Sequence, residues 1–265
     1  MFSLKTLSLF AAVAGLQLVA AQESSISTAC QSTLASIATS SDGNCLNAGG
    51  LISILSGTSS STDLIPPIDS WAKGMCSRSA CTNSTIATVV ANVTSGCSAD
   101  LASFGLQNVD AGQITSLVQQ FYPTVRNVLC LADTKNSSTL CATEALYSLE
   151  PTIGTISTSN LESLLTSVLA GSVPSISKNA TCTDCSKAQF TLISQAFGDL
   201  IPSSVTSTLS SECGSSFVDG SMPSSVTQLA SKSSVTSTPN GAASAWGVAP
   251  VYAVVALASA FAVLA

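Results

Sequence analysis

The stretch PIDSWAKGMCSRSAC, Pro67–Cys81, carries a close pair of cysteines at the centre of a larger cysteine pattern. Five cysteines recur twice in one order: a short gap, a long gap, a close pair and a medium gap. An even number of cysteines in an oxidising compartment favours complete pairing into disulfides. Because five is odd, at least one bridge must join the two groups if all are oxidised. The ten residues are Cys30, Cys45, Cys76, Cys81, Cys97, Cys130, Cys141, Cys182, Cys185 and Cys213.

The recurrence indicates two divergent copies of one unit, residues 30–97 and residues 130–213. Cys182 and Cys185, in the second unit, have the spacing of a redox pair or of half a zinc site. Thioredoxin-like flanks are missing, and the chain contains no histidine to complete a mixed zinc site. We therefore expect structural disulfides, with no metal site and no cofactor.

Between the cysteines, apolar residues recur at helical spacing. In Asp110–Cys130 they form one face, with Asp110 as the N-cap and Pro123 expected to kink or break the helix. Thr158–Gly171 has a similar face, with Ser159 opening a capping box. The alternation of apolar and polar residues that is typical of β-strands is rare. The expected fold class is therefore all-α, a disulfide-rich helical domain. The apolar stripes are expected to face the core, and a lipid-binding wall is the alternative.

The amino-terminal segment has the features of a secretory signal peptide. Lys5 is an early cation, an apolar run follows, and small residues precede Gln22. The run is short for a membrane span, and a polar, serine-rich segment follows it directly. We expect residues 1–21 to be removed.

The carboxyl-terminal segment follows the order of a glycosylphosphatidylinositol (GPI) anchor signal: small residues, a spacer and a terminal apolar tail. Asn240 is the expected attachment residue, and Val251–Ala265 is the tail. As a helix this tail would reach about 22 Å, against a hydrocarbon core of about 30 Å. A single-pass membrane helix over residues 246–265 is the alternative.

This processing divides the precursor into four parts. Residues 1–21 are the signal peptide, 22–220 the cysteine-rich helical domain, 221–240 a disordered stalk rich in Ser and Thr, and 241–265 the anchor propeptide. Sugars are expected on the stalk and on four Asn-x-Ser/Thr sequons. The sequon asparagines are Asn83, Asn92, Asn136 and Asn179.

Charge and motif content exclude several classes of function. The chain has 8 Lys and Arg against 14 Asp and Glu, a balance opposite to that of nucleic-acid-binding surfaces. Because the chain has no histidine, it cannot contain a Ser-His-Asp catalytic triad or a Cys-His catalytic dyad. Two S-x-x-K matches occur, Ser70 to Lys73 and Ser175 to Lys178, but such matches are expected by chance in so serine-rich a chain. Any pair of catalytic carboxylates would have to be assembled by the fold.

The chain resembles the fungal secreted, GPI-anchored cysteine-rich proteins of uncharacterised function. The likeness rests on the two terminal signals, the stalk, and stretches such as PIDSWAKGMCSRSAC and NVTSGC. It implies attachment to the outer leaflet of the plasma membrane and a location at the cell surface or in the cell wall. The compact eight-cysteine haem-binding fungal domain is a different pattern, because the cysteines here spread from Cys30 to Cys213.

The favoured hypothesis is a non-enzymatic cell-surface or cell-wall glycoprotein that acts in display, adhesion or wall organisation, with wall glucan as a possible attachment partner. A module that binds a small apolar ligand, such as a lipid or sterol, is the alternative. A carboxylate-based enzyme that modifies glycans is the weaker alternative.

Overall fold

The computed structural model describes residues 27–57, 59, 61–103, 110–160 and 177–231. The α-helices are α1 (Thr28–Thr39), α2 (Ala48–Gly57), α3 (Ile65–Cys76), α4 (Asn83–Gly96), α5 (Ser98–Ser103), α6 (Ala111–Leu129), α7 (Cys141–Ile153), α8 (Lys178–Thr181), α9 (Asp184–Phe197) and α10 (Ser203–Cys213). Two 3-10 helices span Gly198–Leu200 and Ser215–Val218. The strands are β1 (Leu131–Asp133), β2 (Thr139–Leu140) and β3 (Val226–Gln228).

Side-chain caps begin several of these helices. The side chain of Asp110 accepts a hydrogen bond of 3.0 Å from the Gln113 amide, so the predicted N-cap of α6 is confirmed. Ser27, Thr82 and Thr183 cap α1, α4 and α9 in the same way. Each cap satisfies a backbone amide that would otherwise lack a partner at the helix start.

The long helix α6 passes through Pro123 without interruption, so of the predicted kink or break at this residue the break is wrong. Proline removes one backbone donor and costs about 3 kcal/mol inside a helix. Tertiary packing holds α6 on both sides of it, because Phe121 and Arg126 are both buried. Such packing outweighs local propensity in most protein helices.

The predicted all-α class is correct only in part, because the mostly helical domain also contains a small antiparallel sheet of order β2-β1-β3. Ala132 in β1 pairs with Leu140 on one side and Thr227 on the other. The strands are two or three residues long, too short to give a detectable alternating pattern. Leu131 and Ala132, which point to opposite faces of the central strand, are also both buried, so the strand does not alternate between a buried and an exposed face.

Trp71 connects the separate parts of the hydrophobic core. It packs against three buried groups, which contain Ile65, Ala72 and Met75 respectively. Its indole Nε1 donates a hydrogen bond of 3.0 Å to the Leu46 carbonyl oxygen, so its polar atom is satisfied.

All ten cysteines form disulfides, as predicted from their number. The bridge Cys76–Cys130 joins the two sequence halves, which confirms the predicted cross-link. Only the pairing of the second cysteine with the fourth occurs in both halves, so the connectivity does not confirm the proposed repeat. The other four bridges are Cys30–Cys97, Cys45–Cys81, Cys141–Cys185 and Cys182–Cys213.

The folded domain continues past residue 220, where the stalk was expected to begin. Backbone amides of Leu229 and Ser231 donate to the carbonyl oxygens of Cys130 and Cys76, at 2.9 Å and 3.0 Å. Ser225 is buried, and its hydroxyl donates to Asp184 at 2.5 Å. Residues 221–231 therefore belong to the domain, with β3 as a strand of its sheet.

Several predicted features lie outside the described residues: the signal peptide 1–21, the helix after residue 160, and the segment 232–265 with Asn240 and the apolar tail. Within the described ranges, no helix combines the length and the apolar character that crossing a membrane requires.

Candidate functional site

All four sequon asparagines are exposed on the surface of the domain. Asn83 is the first residue of α4, and Asn92 lies in the same helix. Asn136 lies in the turn between β1 and β2, and Asn179 lies in α8. Each of the four residues is therefore accessible from solvent in the folded domain.

The Asn136 turn is tied to the helix that follows it. Ser137 and Ser138 have φ angles of 51° and 58°, which produce the tight reversal between the strands. The Asn136 amide Nδ2 donates a hydrogen bond of 2.7 Å to Oε1 of Glu144, in the first turn of α7. This contact fixes both the turn and the carboxylate.

Glu144 belongs to a cluster with Asp133, at the end of β1, and Cys185. One carboxylate oxygen from each acid and the Cys185 Sγ all lie within 4.8 Å of one another. Burial raises the pKa of Glu144, and the nearby charge of Asp133 adds to this, against the opposing hydrogen bond from Asn136. The fold thus assembles two acids that are separated by eleven positions in the sequence.

The sulfur in this cluster is not a metal ligand, because Cys185 is bonded to Cys141. Oε2 of Glu144 lies 3.4 Å from the Cys185 Sγ. A disulfide sulfur carries no hydrogen, so this contact is a hydrogen bond only when Glu144 itself is protonated. The cluster therefore offers a metal two carboxylates and no thiolate.

A pair of carboxylates in which one pKa is raised is the arrangement that glycoside hydrolysis uses. Tyr147, whose side chain is 48 % exposed, follows Glu144 by three positions on α7 and offers an aromatic surface beside it. However, Oε1 of Glu144 is held by Asn136 and Oε2 faces the disulfide. A sugar on Asn136 would also stand directly beside the two acids.

Two other acidic residues, Asp184 and Asp219, form contacts that stabilise the fold. Asp184 receives hydrogen bonds from Ser225 at 2.5 Å and from Lys135 at 3.0 Å, and these contacts lower its pKa. Asp219 forms a 3.0 Å ion pair with Lys187. Both acids fasten the carboxyl-terminal part of the domain to the elements around the sheet.

In the S-x-x-K match at Ser70, the serine and Lys73 are not paired as a nucleophile and its base. Lys73 forms a 2.8 Å ion pair with Asp69, one helical turn away, so its amine is engaged by a carboxylate rather than by the Ser70 hydroxyl. In the second match, Ser175 lies outside the described residues.

A groove of about 380 Å³ runs along the line where α1 and α4 pack together. An apolar ligand requires a mostly apolar lining, and this groove is lined mainly by polar side chains. The groove therefore does not favour the lipid-binding hypothesis. Its lining residues are Ser32, Thr33, Ser36, Ile37, Asn92, Ser95 and Gly96.

The sequence analysis predicted that the cysteines pair and identified the four sequons. It did not single out Asp133, Glu144 or the groove. Recognition of a hairpin between Cys130 and Cys141 would have brought the start of α7, which carries Glu144, back towards the strand that carries Asp133. No protein-family model, no curated protein and no solved structure shows significant similarity to the chain.

Proposed function

We propose that the protein is a non-enzymatic glycoprotein of the cell surface or cell wall, anchored through GPI at Asn240 to the outer leaflet of the plasma membrane. The observation that carries this proposal is a domain with five disulfides whose four sequon asparagines are all exposed. Disulfides persist in oxidising compartments, and sequons are modified only on the secretory route.

The position of the last described residues supports display on a tether. The chain reaches Ser231 beside the Cys76–Cys130 bridge, to which the Ser231 amide is hydrogen-bonded through the Cys76 carbonyl. A pull on the segment after residue 231 would act on a part of the domain that is both cross-linked and buried. Such an attachment point suits a domain that is held out from a membrane or transferred to wall glucan.

Processing of the precursor tests the proposal directly. Phosphatidylinositol-specific phospholipase C should release the protein from intact cells, and mass spectrometry should find Asn240 as the last residue of the released chain. If the protein has already moved to the wall, glucanase digestion should release it with the same final residue.

The Asn240→Gln variant is the matched test of the attachment residue, because glutamine is larger than the small residues found at such sites. It should stay uncleaved or shift attachment to Gly241 or Ala242. A peptide from Val251–Ala265 in the wild-type, membrane-extracted protein would overturn the anchor and favour a transmembrane helix.

A second candidate function, a carboxylate-based glycan-modifying enzyme, is favoured by the Asp133–Glu144 pair and the raised pKa of Glu144. Wild-type protein and Glu144→Gln would be incubated with wall polysaccharides, and the products analysed by chromatography. Cleavage by the wild type alone would favour the enzyme over the display role. Equal absence of cleavage would remove this candidate.

A further inference from the structure

The groove between α1 and α4 is a fixed feature of the fold. The Cys30–Cys97 disulfide joins α1 to the residue that directly follows α4, and Gly96 brings the α4 backbone close to Thr33. A Cβ atom at Gly96 would lie 1.9 Å from the Thr33 Oγ1, so only glycine permits this approach. The walls are therefore set before anything enters the groove.

The polar groups along the groove are available for a ligand. The side chains of Ser32, Ser36, Ser95 and Asn92 are exposed and show no hydrogen bond to the rest of the described chain. The hydroxyl of Thr33, by contrast, is satisfied within its own helix by the Ala29 carbonyl at 2.9 Å. Buried Ile37 contributes an apolar surface among these polar groups.

Asn92 is both a wall residue of the groove and a sequon asparagine, followed by Val93 and Thr94. We propose that Asn92 carries an N-linked glycan and that the first N-acetylglucosamine of this glycan occupies the groove. The inference rests on the proposed function, because the glycan requires the secretory route. The covalent link at Asn92 holds this sugar at the groove, whereas a free ligand would have to be captured from solution.

The chemistry of the groove matches that sugar. N-acetylglucosamine carries hydroxyls and an acetamide, which can bond to the serine hydroxyls, and a methyl group and apolar ring face, which can pack on Ile37. The groove has none of the aromatic platforms that commonly hold free saccharides. Its volume of about 380 Å³ lies at the small end of the range for ligand pockets.

The fold also fixes when the sugar must be added. In the folded domain the Thr94 hydroxyl donates to the carbonyl oxygens of Val90 and Ala91, at 2.9 Å and 3.1 Å, within α4. The sequon is therefore locked in a helix, and transfer must precede closure of α4. In that transfer a bond forms between Nδ2 and sugar C1, the C1–oxygen bond to a lipid diphosphate donor breaks, and the amide loses one proton.

The test uses full-length protein secreted by a host that makes high-mannose glycans. Peptide-N-glycosidase F cuts the innermost link, at the asparagine, whereas endoglycosidase H cuts between the first two sugars. On the native protein, release by peptide-N-glycosidase F should be about tenfold slower at Asn92 than at Asn83, because the inner link is shielded until the site opens. Endoglycosidase H should cut the glycans at Asn92 and Asn83 at equal rates. After denaturation, peptide-N-glycosidase F should also release both glycans at the same rate.

Asn83 is the matched control because it lies in the same helix but does not line the groove. If Asn83 is unoccupied, exposed Asn179 takes its place. A second variant, Ser36→Phe, fills the groove and should raise the release rate at Asn92 to the control rate. Thr94→Ala should remove only the Asn92 glycan.

Each outcome has a separate meaning. An empty Asn92 beside occupied sequons, or equal release rates at Asn92 and the control, overturns this inference and leaves the proposed function standing. A secreted protein with no glycan at any sequon overturns both.

Discussion

The guanidinium Nη2 of Arg126 donates a hydrogen bond of 2.5 Å to the carbonyl oxygen of Arg78. Arg126 is 4 % exposed and, within the described part of the chain, has no carboxylate partner. Its other contacts are to the Cys76 carbonyl and the Ser231 hydroxyl, both at 3.4 Å. One buried cation therefore holds together α6, the end of α3 and the last described residue.

Replacing Arg126 with methionine should lower the free energy of unfolding by about 1–3 kcal/mol, because two carbonyl oxygens lose a charged donor in a buried site. Urea denaturation would measure the change. Arg78→Met is the matched control, since it removes the only other arginine of the chain, whose side chain is on the surface and bonds to Asn44. A loss at Arg126 no larger than that at Arg78 would contradict a structural role for the buried cation.

Ending the chain after residue 220 should weaken the domain, whereas ending it after residue 231 should not. The shorter chain lacks β3 and the amides of Leu229 and Ser231, which bond to the carbonyls beside the Cys76–Cys130 bridge. At about 1 kcal/mol for each lost hydrogen bond, the cost is about 2–4 kcal/mol. Thermal melting of the two truncated proteins measures the difference, and identical melting temperatures would show that residues 221–231 contribute no stability.

This boundary shows which features a sequence can and cannot give. The cap at Asp110 and complete pairing of the cysteines were predictable because each depends on local pattern or on number. Residues 221–231 look like a stalk by composition, but their serines bond to distant partners, such as Asp184 for Ser225. The Asp133–Glu144 pair could not be predicted from the sequence either, because a turn and two very short strands bring the acids together. Contacts that depend on tertiary neighbours leave no periodic signal in the chain.

Glu144→Gln should stabilise the protein at neutral pH and have progressively less effect as the pH falls. The pKa of Glu144 is raised in the folded state, so folding favours the protonated acid, and the wild type loses that stability as the pH rises through the raised pKa. Glutamine stays neutral and can still accept the hydrogen bond from Asn136. Urea denaturation of both proteins at pH 7 and near pH 3.5 would show the difference shrink towards acid.

Asp184→Asn is the control with the opposite sign. The hydrogen bonds from Ser225 and Lys135 lower the pKa of Asp184, so its stabilising effect is present above the ordinary pKa and is lost as the pH falls through the lowered one. This variant should be less stable than wild type at pH 7. Should Glu144→Gln also be less stable than wild type at pH 7, the raised pKa would be refuted.

Gly96→Ala should destabilise the domain by about 1–3 kcal/mol, the usual cost of overpacking. The new Cβ would lie 1.9 Å from Oγ1 and 2.7 Å from Cβ of Thr33, and the Cys30–Cys97 disulfide limits how far α1 and α4 can separate. Gly198→Ala is the control, because a Cβ there would meet no atom within 4 Å. Thermal denaturation should show a loss at position 96 and little change at position 198.

A double-mutant cycle identifies the cause of the loss. Thr33→Gly removes the atoms that the new methyl group would meet, so Gly96→Ala should cost less in the Thr33→Gly background than in the wild type. Thr33→Gly alone is destabilising, since glycine is unfavourable inside a helix by about 1 kcal/mol. The informative quantity is therefore the coupling between the two positions. Additive effects would mean that the two helices can move apart, and that the walls of the groove are not fixed by this contact.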